Sequence, residues 1–125
     1  MATWQEIDRD NFRAARDLYD AGQYRSSVSR SYYATFSVVT HELNAAGARF
    51  GSPQETPTHQ AVPKLMKQYL TLPGRQMITS IAIIRRLYAA RIAADYQRRT
   101  TDGVAALDAL RDAAALFRYL GVDDE

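Results

Sequence analysis

The 125-residue chain contains no cysteine, which excludes a disulfide framework, a thiolate zinc site and a cysteine nucleophile. It contains only two histidines, His41 and His59, and neither has a second histidine at the spacing of a zinc-binding helix. A glycine-rich phosphate loop and a nucleophile elbow are also missing, so the common hydrolase motifs are not supported. We therefore expect no metal site and no cofactor.

Long apolar runs are missing as well. No stretch approaches the ~18 to 20 apolar residues that a membrane-spanning helix requires. The first ten residues carry Trp4, Glu6, Asp8 and Asp10, where a signal peptide needs a basic start and an apolar run. We expect a cytoplasmic protein with no membrane partner. The net charge of +2 is too small by itself to indicate a nucleic-acid binder.

Proline is scarce, with only 4 residues, and the segments between the prolines and glycines have apolar residues at a period near 3.6. This pattern predicts a single all-α domain, an up-and-down bundle of four to five helices. We expect helices over residues 4–21, 23–46, 58–71, 73–98 and 103–120, with a long loop over 48–57. Gly22 and Gly47 have the character of left-handed residues that end the first two helices.

The apolar positions of the first and last helices predict which faces are buried. In the first helix we expect the core to contain Ile7, Ala15, Leu18 and Tyr19. In the last helix the expected stripe is Val104, Leu107, Leu110, Ala114, Phe117 and Leu120.

The fourth helix has a stripe that changes character near its end. Met77, Ile81, Ile84 and Tyr88 recur at steps of four and three, and the next steps land on Arg91 and Asp95. Two interpretations remain open. Arg91 and Asp95 form a structural ion pair at i, i+4, or Arg91 faces a cleft and presents its guanidinium to a phosphate while Asp95 orients it.

The second helix also carries arginines and hydroxyls where a simple bundle would have leucine. Arg25, Ser29 and Tyr33 line the face next to its apolar one, and small residues in the same helix allow a neighbouring helix to approach closely. Arg30 stands beside both faces. It can reach Asp95 if the second and fourth helices are neighbours.

The fourth helix is rich in arginine, and tyrosines are interleaved. Its arginines are Arg85, Arg86, Arg91, Arg98 and Arg99. With Tyr88 and Tyr96 they suit nucleic acid, because arginine binds phosphate and tyrosine stacks on bases. The alternative is a solvated face whose last cations are favoured by the helix C-terminus.

Two segments together resemble a known family. They are YRSSVSRSYYATF at 24–36 and RIAADY at 91–96, with Thr58 and His59 opening a helix between them. Over roughly residues 4–120 the chain resembles the HEPN domain superfamily. The resemblance is in particular to a small prokaryotic branch that has this motif on its second helix and, on its fourth helix, an arginine followed shortly by Ala-Asp-Tyr.

The resemblance implies a helical bundle that forms a homodimer with a cleft at the interface. Many relatives act on RNA, as toxins paired with a nucleotidyltransferase antitoxin or in defence against phage. Their metal-independent ribonuclease motif is an arginine followed after four to six residues by a histidine. Arg91 matches the arginine, but Tyr96 stands where the histidine is expected. Tyrosine, with a pKa of about 10, is a poor base at neutral pH.

We therefore expect a dimeric module that binds RNA, a nucleotide or a protein partner. We expect it to be non-enzymatic or at most weakly catalytic. The expected ligand-binding residues are Arg30, Tyr33, Arg91, Asp95 and Tyr96. Two alternatives remain open. One is a ribonuclease toxin with an altered motif, in which Arg91 acts with Tyr96, or with His41 or His59 of the partner subunit. The other is a pure dimerisation scaffold.

Overall fold

The computed structural model describes residues 3–50, 56–96 and 101–122, and these residues form five helices with no strand among them. The helices are α1 (Trp4–Asp20), α2 (Tyr24–Ala45), α3 (Val62–Tyr69), α4 (Gly74–Tyr96) and α5 (Gly103–Tyr119). The predicted all-α class is confirmed. Within the described ranges, none of these helices is both long and apolar enough to cross a membrane.

Local sequence explains where most helices begin and end. Thr3 caps α1 in a capping box with Glu6, in which each side chain meets the other residue's backbone N–H. Gly22 follows α1 at φ +76°, a left-handed conformation that glycine adopts without strain. Asp102 caps α5 by accepting a hydrogen bond from the N–H of Ala105 at 2.9 Å.

The third helix is shorter than predicted. It spans Val62–Tyr69 rather than 58–71. Pro63 lies in its first turn, where the missing proline N–H does no harm, and the residues before it form a turn closed by Ala61 N–H to Thr58 O at 3.1 Å. Two other predicted features fall partly outside the described residues, namely the end of α4 at residue 98 and the centre of the 48–57 loop.

The predicted core of α1 is wrong at one position. Ile7 is 37% exposed, whereas Asp8 is buried together with Phe12 and Ala15. The buried face therefore follows residues 8, 12 and 15, and the carboxylate of Asp8 is tolerated there because it accepts two hydrogen bonds from α2.

The predicted stripe of α5 is also rotated. Val104 is exposed, and the buried residues of the helix are Ala106, Ala109, Leu110, Ala113, Leu116 and Phe117. The reason is that α5 contacts α1, α2 and α4 together, so its buried face is broad and uses alanines where helices approach closely.

The second helix is the centre of the bundle and contacts all four others. Its serines permit close approach to α1, since Ser27 is fully buried and its hydroxyl donates to the carbonyl of Ala15 at 2.8 Å. Ser37, ten positions later, donates to Asp8, so α1 and α2 run antiparallel. Phe12 of α1 packs against Phe117 of α5 with ring centroids 5.4 Å apart, so α1 and α5 also contact each other in the core.

Candidate functional site

The last turns of α4 bring Arg91 and Asp95 together. Arg91 Nε donates to Asp95 Oδ2 at 3.1 Å, and the side chain of Arg91 is only 14% exposed. The structure therefore contains the i, i+4 ion pair that the sequence offered as one interpretation, and it places the side chain of Arg91 largely out of solvent. Because the pair uses Nε, the two terminal nitrogens, which carry four of the five N–H donors of arginine, remain for another acceptor.

The guanidinium of Arg91 also covers two aromatic rings of α2. Its Cζ atom lies 5.0 Å from the ring centroid of Tyr33 and 5.7 Å from that of Tyr32. A cation over a ring face within ~6 Å is attracted by the ring quadrupole. Arg91 is thus restrained by two rings of α2 and by Asp95 of its own helix.

Arg91 keeps its positive charge in this environment. Burial lowers the pKa of Arg91, but Tyr33, Asp95 and Tyr96 together outweigh burial, so the pKa lies above its ordinary value. A fixed, permanently charged guanidinium is the arrangement that phosphate and carboxylate groups recognise in a bidentate manner.

A cavity of about 390 Å³ lies beside this pair, and two of its lining residues are the predicted Arg30 and Asp95. Arg25 and Tyr33 also line the cavity. With Arg91 next to Tyr33, the cavity has three cations near one carboxylate. The local charge is therefore positive, which favours an anionic ligand.

The five predicted ligand-binding residues are not placed equally. Arg30, Tyr33, Arg91 and Asp95 meet around one cavity and one guanidinium. Tyr96 is 71% exposed at the end of α4, within electrostatic range of Arg91, and does not line that cavity. Its side chain stands at the rim rather than in the cluster.

His59, which the sequence predicted at the start of a helix and offered for catalysis as a histidine of the partner subunit, contacts Tyr32, one of the aromatic residues that Arg91 contacts. It precedes α3, and its Nδ1 forms a hydrogen bond with the hydroxyl of Tyr32. Its ring also contacts Phe36 and Tyr88, with centroids 5.0 and 4.8 Å away. The separation of 27 positions between Tyr32 and His59 leaves no local pattern that indicates this contact.

The environment of His59 fixes its protonation. Burial raises the pKa of Tyr32, so its hydroxyl stays protonated. Burial, and then the charge of Arg91, lower the pKa of His59. Both shifts favour the neutral forms of the two side chains that share this hydrogen bond.

Acidification is expected to destabilise the wild-type protein more than a His59→Gln variant. Because the pKa of His59 is lowered in the folded state, the unfolded chain takes up the proton first as pH falls. The contribution of neutral His59 to stability is complete above the unfolded pKa of about 6.5 and is lost as pH falls toward the folded pKa. Urea unfolding of both proteins at pH 7 and pH 5 measures the difference, and parallel losses would contradict it.

A second cavity, of about 300 Å³, is lined by Tyr32, His59, Tyr88 and Arg85 among others. Arg85 is exposed and adds a cation to this aromatic wall. Tyr32 lines this cavity and its neighbour Tyr33 lines the first one, and Arg91 contacts both rings.

The remaining arginines of the predicted basic face have different roles. Arg86 forms a two-point ion pair with Asp112 of α5, from Nε at 3.1 Å and Nη2 at 2.8 Å. That geometry explains Arg86 as a tie between α4 and α5. Arg98 and Arg99 lie outside the described residues.

A cluster of polar side chains around Asp8 joins α1 to α2. Asp8 accepts from the hydroxyl of Ser37 at 2.6 Å through Oδ1, and its Oδ2 lies 2.7 Å from His41 Nδ1. Trp4 stacks on the His41 ring with centroids 4.1 Å apart. Burial, and then Asp8, raise the pKa of the neighbouring Glu42 despite the opposing effect of His41. In the described part of the chain, no three His, Cys, Asp or Glu side chains are grouped as metal ligands.

Comparison with known proteins bears on the whole chain. A family model described as HEPN domain matches residues 1–123, a range that includes all five helices and every residue of the clusters above. No curated protein matches the chain.

Proposed function

This chain belongs to the HEPN domain family, and on that premise we propose that it binds single-stranded RNA through Arg91, as a homodimeric helical module that does not cleave its ligand. The observation that carries the proposal is the guanidinium of Arg91, fixed between Asp95 and two tyrosine rings with its terminal nitrogens left for an acceptor.

The charge around Arg91 supports a phosphate ligand. Arg25 and Arg30 line the same cavity as Asp95, so an incoming phosphate meets more positive than negative charge. Exposed basic side chains alone are weak support, because most arginines on a helix are simply solvated. Here the guanidinium is held in one plane and largely removed from water, which strengthens each hydrogen bond it makes to an anion.

The aromatic residues beside Arg91 support RNA over free phosphate. Tyr33 is 43% exposed although Arg91 contacts its ring, and Tyr88 is half-buried in the cavity next to His59. Single-stranded RNA is recognised by stacking of its bases on aromatic side chains next to backbone contacts with arginine. A phosphate site without aromatic neighbours would contact the RNA backbone but would have no ring on which a base could stack.

The state of His59 supports binding rather than cleavage. Metal-independent RNA cleavage needs a base that removes the proton of the 2′-hydroxyl. His59 is the histidine that lies near Arg91, but its Nδ1 is hydrogen-bonded to the Tyr32 hydroxyl and its ring packs against Phe36 and Tyr88. His59 therefore has a structural contact at one of its two nitrogens. Tyr96, the other candidate base, is solvated at the rim.

The homodimer is part of the proposal and rests on family membership. A nucleotidyltransferase antitoxin as a partner, and a role in a toxin-antitoxin or defence system, rest on the same ground. The clusters described above contribute no argument for either.

Replacing Arg91 with alanine is expected to weaken the binding of a short single-stranded RNA at least tenfold, about 1.4 kcal/mol. Arg91→Lys should recover only part of the loss, because lysine keeps the charge but not the planar donors. The matched control is Arg75→Ala, an exposed arginine in the first turn of the same helix. Fluorescence anisotropy with a labelled RNA, repeated over a range of salt, measures both the affinity and its salt dependence.

The same experiment separates the alternatives. Loss of one phosphate contact reduces the slope of log K against log salt by about 0.7. If no RNA binds, or if Arg91→Ala and Arg75→Ala behave alike, the proposal fails and a dimerisation scaffold is favoured. If the protein cleaves tRNA in the presence of chelator, and Arg91→Ala abolishes the cleavage, the ribonuclease alternative replaces it.

A further inference from the structure

The cavity beside Arg91 is lined mainly by one side of α2, and we call it the Arg30 cavity. Leu18 of α1 and Asp95 of α4 also line it. The α2 residues follow the spacing i, i+1, i+4, i+5 and i+8, which places them on one side of the helix over about two turns, ~12 Å. They are Arg25, Ser26, Ser29, Arg30 and Tyr33. The α2 side of the cavity is therefore longer than one contact between a guanidinium and a phosphate.

Arg91 lies at the Tyr33 end of this surface. Its guanidinium carbon is 5.0 Å from the centroid of the Tyr33 ring and its Nε is 3.1 Å from Asp95, and both of these residues line the cavity. A phosphate held by the two terminal nitrogens of Arg91 uses both non-bridging oxygens of a phosphodiester in that one contact. Arg25 is eight positions before Tyr33 on α2, so a phosphate at Arg91 leaves the far end of the surface without a ligand.

The hydrogen-bond donors toward that far end are unused. Within the described residues, no ion pair or hydrogen bond engages the guanidinium of Arg25 or Arg30. The same is true there of the hydroxyls of Ser26 and Ser29, whereas the hydroxyl of Ser27 donates to a carbonyl of α1. A guanidinium has five N–H donors and no acceptor, and each hydroxyl adds one donor. The cavity is therefore rich in donors, which an anion with several oxygens can satisfy.

The positive charge around the cavity exceeds what one phosphodiester supplies. Three guanidiniums, those of Arg25, Arg30 and Arg91, lie around one carboxylate, that of Asp95, which leaves a net charge of +2. A phosphodiester carries a single negative charge. One phosphate at Arg91 therefore leaves half of the excess charge uncompensated, and two phosphates match it.

We propose that the Arg30 cavity binds a second phosphate, so that the ligand of this protein presents two phosphates in succession. The inference rests on the function proposed above, which places the first phosphate at Arg91. Two consecutive phosphodiesters of an RNA strand and the linked phosphates of a nucleoside diphosphate share this chemistry. Arg25 and Arg30 are exposed, and exposed arginines on a helix are commonly only solvated. The test must therefore show that Arg30 responds to a particular charge of the ligand.

The trinucleotide UUU is the probe, because it contains two phosphodiesters. In two further versions, one or the other phosphodiester is replaced by an uncharged methylphosphonate, which keeps all the bases. A protein with one phosphate site should bind the three ligands alike, because the remaining phosphodiester can occupy that site in either version. With two phosphate sites, each single replacement should weaken binding about fivefold or more. Competition of each ligand with the labelled RNA on the full-length protein measures the affinities.

The variant Arg30→Ala assigns the second site. It should weaken UUU binding about fivefold or more and reduce the slope of log K against log salt by about 0.7. Each methylphosphonate should then change the affinity less than about twofold, because only the site at Arg91 remains to be coupled to a phosphate. Arg30 is exposed and has no partner among the described residues, so the variant should unfold at the wild-type temperature. Arg75→Ala, an exposed arginine of α4, is the control and should behave as the wild type.

UMP and UDP distinguish the two sources of the phosphates. A preference for UDP over UMP that Arg30→Ala removes assigns them to a free nucleotide, whereas a methylphosphonate effect that Arg30→Ala removes assigns them to a strand. The inference is overturned if the wild type binds the three trinucleotides alike and UDP no tighter than UMP, or if Arg30→Ala behaves like Arg75→Ala. RNA binding that still depends on Arg91 would in that case leave the proposed function standing, so the two failures are distinguishable.

Discussion

Replacing Tyr32 with alanine is expected to lower the free energy of unfolding by about 3 to 5 kcal/mol, the range for truncating a buried aromatic ring. The side chain is 1% exposed and lies at the centre of the bundle. Its ring contacts four others, namely those of Tyr33, Phe36, His59 and Tyr88. The cavity left behind cannot be filled by small movements, because these neighbours come from three different segments of the chain. Equilibrium unfolding in urea measures the loss.

Tyr32→Phe is the matched variant for this experiment. It keeps the ring and removes only the hydroxyl that binds His59, so we expect a loss of about 1 kcal/mol. It should also shift the imidazole NMR signal of His59 and leave that of His41 in place. If the two variants are destabilised equally, the hydroxyl rather than the ring dominates, and the packing argument for Tyr32 fails.

Replacing Asp8 with alanine is expected to lower the free energy of unfolding by about 2 to 3 kcal/mol. The change leaves the hydroxyl of Ser37 and Nδ1 of His41 without the acceptor that each has in the native protein. Both partners are part-buried, so water replaces the carboxylate incompletely. Relief of the buried charge offsets part of the loss, which is why we expect less than for a core aromatic.

Asp8→Asn discriminates between charge and hydrogen bonding at this position. An asparagine can accept from His41 and donate to Ser37, whose hydroxyl also accepts, so both contacts survive and the loss should be about 1 kcal/mol or less. Thermal or urea unfolding of both variants gives the comparison. Equal losses for asparagine and alanine would show that the negative charge, rather than the two hydrogen bonds, holds α1 against α2.

The variants of Asp8 also report on the orientation of His41. In Asp8→Ala the imidazole loses its hydrogen-bond partner, so the stacking on Trp4 should loosen and tryptophan fluorescence should change. In Asp8→Asn the stack should persist.

Much of the fold follows from short-range pattern. The scarcity of proline, the period near 3.6 and the two positive-φ glycines at 22 and 47 mark α1 and α2 closely. Arg91 and Asp95 were also accessible from sequence, because they are four positions apart on a helix stripe whose other members are apolar. Which residues of α5 are buried could not be predicted from the sequence alone, because the buried face of α5 depends on its contacts with three neighbouring helices.

The sequence by itself determined the all-α class and the family, and it placed Arg91 and Asp95 within reach of each other, because each depends on residues close together in the chain or on a recognisable motif. The tertiary structure alone decided that His59 meets Tyr32, and that Asp8 is buried against His41 where Ile7 was expected. These contacts join residues 27 and 33 positions apart. Their energies come from burial and from the partners that burial enforces, and neither exists until the helices have assembled.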